Sequence, residues 1–181
     1  MVENTHDQGI FQHRWKNFTG QIDEETGKEI DGTTYGQAPS FSSALIIQKN
    51  KVENCTHCKE LHFSVSLLGD FYQIYGLDTT VILDQKEGKA YSAVNVVTTS
   101  PFEEFADVFK LVERKIKEKY PNYKIIPFGL GQLIIKGLQV RYLNDEDCSV
   151  NKALFNHFLS EENISTYTRG NVYYGKEKWL K

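Results

Sequence analysis

Proline is scarce in this chain and glycine is no more than average: they account for 4 and 13 of its 181 residues, respectively. These numbers exclude a collagen-like repeat, which needs glycine at every third position, and a proline-rich disordered chain. Hydrophobic residues make up 40% of the sequence and charged residues 25%, which is the balance of a globular protein. The chain is therefore long enough and apolar enough to form one domain with its own core.

An excess of positive charge is also missing. The 21 basic and 24 acidic side chains give a net charge of -3. A protein that binds a phosphate backbone needs clustered lysine and arginine, so we expect no nucleic-acid partner.

Long apolar runs and abundant cysteine are absent as well. Residues 1–7 are polar where a secretory signal would be basic and then apolar, and no later run approaches the roughly 20 apolar residues of a membrane span. The three cysteines, an odd number, are too few for a disulfide framework. We therefore expect a cytoplasmic protein with free thiols and no membrane association.

Runs of β-prone residues fill the middle of the chain. Residues 41–48 and the alternating apolar residues of 61–68 predict a hairpin whose polar loop contains Cys55 and Cys58. The short connections that follow favour antiparallel neighbours. Further strands are predicted at 71–75, 81–83, 91–97, 125–126, 132–135 and 138–142, with an edge strand in the tail 167–179.

Two helices are predicted. The first begins with an N-cap serine, Ser100, followed by Pro101 and by Glu103, which is placed to close a capping box, and it ends at Tyr120–Pro121. The second covers residues 149–160. The apolar stripe of the first helix is Phe102, Phe105, Phe109, Val112, Ile116 and Tyr120, and the inward side of the second is Val150, Ala153, Leu154, His157 and Phe158.

These elements predict one α+β domain over residues 1–181. Its mainly antiparallel sheet carries the long helix, about 101–119, on one face, with the second helix near 149–160. Residues 1–38 are polar and are interrupted by turn-forming residues. This pattern predicts an irregular arm or a small hairpin that turns at Gly27.

A zinc site is the sharpest metal hypothesis. Cys55, Cys58 and His62 follow a C-x2-C-x3-H pattern, and Cys148 would supply a fourth ligand for tetrahedral zinc. Zinc sites normally draw on a second compact pair, whereas Cys148 stands alone 90 residues after Cys58. We therefore favour free thiols without a cofactor, and we keep the zinc-stabilised interaction domain as an alternative.

Recognisable catalytic residues are missing. Cys148 follows three acidic residues, Asp145–Asp147, whose charge disfavours a thiolate, and His157 falls on the inward side of a helix. Gly129 and Gly131 lack the third glycine of a nucleotide-binding fingerprint. We therefore assign no catalytic residue, although an unfamiliar active site remains open as an alternative.

Aromatic side chains are abundant, with 10 tyrosines and 11 phenylalanines. Tyrosine and tryptophan combine a large contact area with a polar end, and they dominate the binding energy of many interfaces. The same residues also serve as ordinary packing when a tail folds back onto a sheet. We predict as partner-binding residues Tyr72, Tyr173, Tyr174 and Trp179.

The order of strand, turn and helix resembles a known class of protein. The relevant stretches are 61–72, Ser100–Phe105 and 120–123. Together they look like the small α+β immunity proteins of bacterial polymorphic toxin systems. That resemblance implies a non-enzymatic cytoplasmic protein that binds a toxin domain and blocks it, and it assigns no site residue. The alternatives are a small enzyme or ligand-binding domain and the zinc-stabilised domain.

Overall fold

The computed structural model describes residues 8–34, 38–84, 86, 88–140, 147–156 and 167–179. Its main sheet has seven strands in the order β1-β2-β3-β4-β5-β9, with β6 beside β4, and β7 and β8 form a separate two-stranded sheet. The strands are β1 (Ile30–Gly32), β2 (Ser40–Val52), β3 (Cys55–Ser66), β4 (Phe71–Asp84), β5 (Lys89–Thr98), β6 (Lys124–Ile125), β7 (Ile134–Ile135), β8 (Cys148–Ser149) and β9 (Thr168–Arg169).

Helices complete the architecture and confirm the predicted α+β class. β2 to β5 are joined as antiparallel neighbours, whereas β6 and β9 pair in parallel. The α-helices are α1 (Gln8–Phe11), α2 (Asn17–Thr26), α3 (Ala106–Lys119), α4 (Phe128–Gly131) and α5 (Val150–Leu154), with a π-helical turn at Gln12–Lys16 and 3-10 turns at Glu103–Phe105 and Lys176–Trp179.

The two faces of the sheet differ in composition. Residues directly paired across antiparallel strands lie on the same face, and successive residues of one strand alternate between faces. One face, the helix face, is apolar where α2 and α3 cover it, with Leu61, Phe63 and Val65 of β3 fully buried. The other face, the opposite face, carries the intervening Ser64 and His62.

The long helix packs on the helix face as predicted. Phe105, Phe109, Val112 and Ile116 are all 0% exposed, and Tyr120 is 7% exposed. This apolar stripe buries one side of α3 and leaves lysines on the other, which is the pattern of a helix lying on a core.

The predicted start of this helix is wrong. Phe102 has an extended backbone and is 39% exposed, and α3 begins only at Ala106, after the turn Glu103–Phe105. The hydroxyl of Ser100 accepts a hydrogen bond from the backbone N–H of Asn171 at 2.9 Å instead of capping the helix. A tertiary contact with the tail therefore replaces the local capping box.

The first part of the chain is helical rather than an irregular arm or hairpin. α1, the π-helical turn and α2 follow one another without interruption from Gln8 to Thr26, and Gly27 ends α2 with a left-handed φ of 61°. Trp15, Phe18 and Ile22 are buried in the main core. Their spacing of three and four residues was a helical signal that the polar residues between them obscured.

The central hairpins are longer than predicted. β2 and β3 pair from Ser40↔Ser66 to Val52↔Cys55, so that Cys55 and Cys58 lie in a strand and not in a loop. β4 runs unbroken through Gly76 and so joins the two predicted strands 71–75 and 81–83 into one. A Cβ at Gly76 would lie 2.6 Å from ring carbons of Phe105, so the glycine allows that ring to approach the strand.

Predictions for the last third are only partly met. α5 spans Val150–Leu154 within the predicted 149–160, while 157–160, with His157 and Phe158, lie outside the described residues. Strands occur at Lys124–Ile125 and Ile134–Ile135, but 138–140 are not a strand. The tail contributes only the short β9, followed by turns. Short elements are set by tertiary contacts, so the local pattern locates them poorly.

Candidate functional site

Tyr72 lies in the core rather than on a surface. Its side chain is 0% exposed on the helix face, and its hydroxyl donates a hydrogen bond to Glu113 Oε1 at 3.2 Å. Burial raises the pKa of Tyr72 well above its ordinary value. The prediction that Tyr72 anchors a partner is therefore wrong, because a partner cannot reach it in this fold.

Tyr174 and Trp179 attach the C-terminal tail to the rest of the domain. The Tyr174 hydroxyl donates to Glu113 Oε2 at 2.7 Å. The Trp179 ring stacks on Phe71 with centroids 5.6 Å apart, and its Nε1 donates to the carbonyl oxygen of Ile125 at 2.8 Å. Both predicted anchors thus already have partners within the chain.

Tyr173 is the most accessible of the four predicted anchors. It is 50% exposed, and the Lys176 ammonium lies 5.4 Å from its ring centroid. This tyrosine remains accessible to a partner.

Glu113 forms a buried ionic cluster on the outer side of the core. Its carboxylate accepts hydrogen bonds from Lys178 at 2.6 Å and from both tyrosine hydroxyls, and Lys117 Nζ lies 2.7 Å from Oε1. Burial alone would raise the pKa of Glu113, but the lysines and Tyr174 outweigh it and lower the pKa to about 2. The cluster connects α3 to β4 and to the C-terminal tail.

The residues of the zinc hypothesis do not converge. Cys55 and Cys58 are three residues apart in β3, so their side chains lie on opposite faces of the sheet. Cys58 and His62 share a face, but their Cα atoms are four strand residues, about 13 Å, apart, and the Glu60 carboxylate lies between their side chains. Cys148 is buried in β8, in the other sheet. Within the described residues no three histidine, cysteine or acidic side chains are grouped to hold a metal.

Glu60 occupies the position between the two potential ligands on the opposite face. Cys58 Sγ donates to Glu60 Oε1 at 3.2 Å, and His62 Nε2 lies 3.0 Å from Glu60 Oε2. Burial and the neighbouring carboxylate raise the pKa of the Cys58 thiol to about 12. A thiol that stays protonated is a poor zinc ligand and a poor nucleophile.

The ends of the two long hairpins extend beyond the helices. We call this part of the sheet, residues 48–59, 78–84 and 89–96, the tip region. Asn50, Val52, Ile82 and Tyr91 are exposed on its helix face. Helices cover the helix face at one end of these strands and leave it open at the other end. The helix face therefore changes from core to surface along each strand.

Four aligned side chains form the most apolar part of the tip region. Val52 pairs with Cys55, Cys55 with Ile82, and Ile82 with Tyr91, so the four lie side by side across four strands. Val52 is 70% exposed, Ile82 47% and Tyr91 55%. We call these residues the tip row. The next row inward is Asn50, His57, Thr80 and Ala93, and neither row contains a lysine, arginine, aspartate or glutamate.

A polar network separates these rows from the core. His57 Nε2 lies 2.7 Å from Asp78 Oδ1, and Lys59 Nζ lies 2.6 Å from Glu104 Oε1. Arg169 of β9 reaches the same Glu104 oxygen at 2.7 Å. The hydrogen bond from Lys59, opposed by partial burial and aided by Arg169, lowers the pKa of Glu104 to about 2. The network therefore keeps its charges paired.

A bulge in β5 adds Asn95 to this network. Asp78 pairs with Val96 but Thr79 pairs with Val94, so Asn95 is the extra residue. Its Nδ2 donates to Asp78 Oδ1 at 2.7 Å and to Thr80 Oγ1 at 2.9 Å. A bulge commonly re-aims a side chain in this way.

Sequence reasoning missed the tip region because it depends on strand register. His57 and Asp78 are 21 residues apart in the chain, and only the pairing of β3 with β4 brings them together. The useful signal was alternation: Cys55, His57 and Lys59 share a face once 55–60 is recognised as strand.

The His57–Asp78 pair is not arranged for nucleophilic catalysis. Cys55 lies two residues away on the same face, but no hydrogen bond joins its Sγ to His57 within the described residues. A nucleophile needs its base within hydrogen-bonding reach and donors for the developing charge. The helix face of the tip region is open to solvent, with Val52, Ile82 and Tyr91 exposed on it.

No family model, curated protein or solved structure matches this chain. In the parts of the chain that the structure describes, every helix is too short or too polar to cross a membrane.

Proposed function

We propose that this chain is a non-enzymatic protein-binding domain that neutralises a bacterial toxin domain by stoichiometric binding. The tip row would be the centre of its binding surface. The observation that carries the proposal is that Val52, Ile82 and Tyr91 lie exposed and aligned on one open sheet face.

The arrangement of the tip region supports this assignment. The centres of protein interfaces are depleted in charge and enriched in aromatic side chains, with polar groups around them. The tip row and the neighbouring row are free of permanent charges, whereas the polar network borders them on the core side. Tyr91 is the natural anchor, since tyrosine gives much contact area for little lost rotamer entropy.

The class of partner rests on the resemblance to immunity proteins. A net charge of -3 offers little attraction for nucleic acid and is compatible with a protein partner. Cytoplasmic location is part of the same proposal, because free thiols such as Cys55 persist in a reducing compartment.

Two exposed tyrosines make the assignment testable. Tyr91 and Tyr173 have similar exposure, 55% and 50%, but Tyr91 lies in the tip row and Tyr173 in the tail. Binding of the protein encoded by the neighbouring reading frame is measured by calorimetric titration for wild type, Tyr91→Ala and Tyr173→Ala. We expect Tyr91→Ala to weaken binding by about 2 kcal/mol, roughly 30-fold, and Tyr173→Ala to change it little.

The opposite ranking would move the binding surface to the tail, where the sequence placed it. Circular dichroism and urea denaturation of both variants establish that each remains folded. No binding by wild type would remove the neighbouring product as a partner and contradict the proposed function with it.

A further inference from the structure

In the part of the chain that the structure describes, the tip region has an open edge along β5. β5 pairs with β4 over its whole length, but β9 pairs only with Val97 and Thr98 on the other side. Within the described residues, the backbone of 90–96 has no hydrogen-bonding neighbour on that side. An unpaired edge of this kind is a template for another strand.

The opposite edge, on β2, is built differently. β1 pairs with residues 43–45 of β2, and no other described strand covers the tip end of β2 on that side. That end carries Lys49 and Lys51, and edge lysines are a common protection against pairing with another chain. Residues 90–96 contain no charged residue and no proline. Of the two open edges, only β5 lacks this protection.

Regular geometry also favours pairing at β5. Its bulge at Asn95 lies towards the body of the domain, so 90–94 form an undistorted edge with Ser92 at the centre. When a strand pairs antiparallel with its own copy, the two strands are related by a two-fold axis, which is the commonest symmetry of protein dimers.

We propose that β5 pairs antiparallel with β5 of a second copy, centred on Ser92, to form a two-fold symmetric dimer. In this register Tyr91 lies beside Ala93 of the second copy, and Val94 lies beside its Ala90. Each larger side chain thus faces a small one. The net charge of -3 adds little repulsion between the copies.

The faces of the two sheets are continuous in this dimer. Tyr91 and Ala93 lie on the helix face, because they pair with Ile82 and Thr80. The tip row of one copy therefore runs into the uncharged second row of the other. The inference goes beyond the proposed function, since a dimer would form with or without a toxin partner.

Charge substitutions at Ser92 test self-pairing directly. Wild type should sediment at equilibrium with twice its chain mass of 20.8 kDa. Ser92→Lys and Ser92→Glu should each be monomeric, because like charges then meet at the two-fold axis. An equimolar mixture of the two variants should regain the doubled mass, because the charges become complementary. Asn50→Lys, an exposed change on β2, is the matched control and should stay dimeric.

Three results would overturn the dimer: a monomeric wild type, a Ser92→Lys variant that keeps the doubled mass, or a mixture that stays monomeric. Circular dichroism checks that each variant is folded, and Ser92→Arg or Ser92→Asp replaces a Ser92→Lys or Ser92→Glu variant that fails to fold. Calorimetric titration of monomeric Ser92→Lys with the neighbouring product separates the two proposals, since loss of the dimer need not remove partner binding.

Discussion

Glu113 is a buried residue whose hydrogen-bonding and ionic partners outweigh the cost of burying its charge. Its carboxylate meets two lysines and two tyrosine hydroxyls, and it connects α3 to the tail. The pKa of about 2 in the folded protein lies below the ordinary value of 4.5. The resulting stabilisation is complete above about pH 4.5 and is lost as the pH falls towards 2.

Replacing Glu113 should therefore cost stability in a pH-dependent way. We expect Glu113→Gln to lower the free energy of unfolding by about 3 kcal/mol at pH 7, with the difference from wild type shrinking towards pH 2. Urea denaturation between pH 7 and pH 2.5 measures this difference. Glu118→Gln, which removes an exposed ion pair with Arg114, is the control and should change stability by less than about 1 kcal/mol. A difference for Glu113→Gln that does not vary with pH would contradict the ionic account.

Phe109 and Phe102 test the orientation of the long helix. Phe109 is fully buried, whereas Phe102 precedes the helix and is 39% exposed. We expect Phe109→Ala to cost about 3 to 5 kcal/mol through lost transfer energy and a cavity. Phe102→Ala should cost clearly less in the same denaturation assay. Equal effects would place Phe102 in the core as the sequence predicted.

At the scale of elements, the helices and strands whose apolar pattern repeats over many residues were predicted well. The stripe from Phe105 to Tyr120 indicated α3, alternation located part of β3, and β-prone runs located parts of β2 and β5. The helix start was mistaken because Ser100 bonds to the tail, an interaction that local sequence cannot reveal. The N-terminal helix was missed although Trp15, Phe18 and Ile22 carried a helical spacing.

Gly76 lies in the gap between two strands predicted from the sequence, 71–75 and 81–83, which the structure joins into β4. A glycine is needed at this position of β4, because the ring of Phe105 leaves no space for a Cβ. We expect Gly76→Ala to destabilise the protein by about 1 to 3 kcal/mol through overpacking. Gly32→Ala in β1 is the control, since its Cβ would have no atom within 4 Å. Thermal denaturation showing no loss for Gly76→Ala would mean that Phe105 moves away without cost.

At the scale of the whole molecule, the site depends on the register in which the strands pair, and this limits what the sequence could predict about it. The aromatic anchors were inferred from composition, but Tyr72, Tyr174 and Trp179 bind within the chain and leave Tyr173 accessible. The tip row needs the pairing of four strands before its residues become neighbours. A single sequence does not fix such long-range pairing, because each run of β-prone residues is compatible with several partners.

Stoichiometry tests the central claim of a binding domain most directly. The toxin activity of the neighbouring reading frame's product is measured while this protein is titrated against it. A binder acts once per partner, so we predict that inhibition rises linearly and saturates near one molar equivalent of chains. Complete protection at a small fraction of an equivalent would require turnover, and it would contradict the account in favour of the small-enzyme alternative.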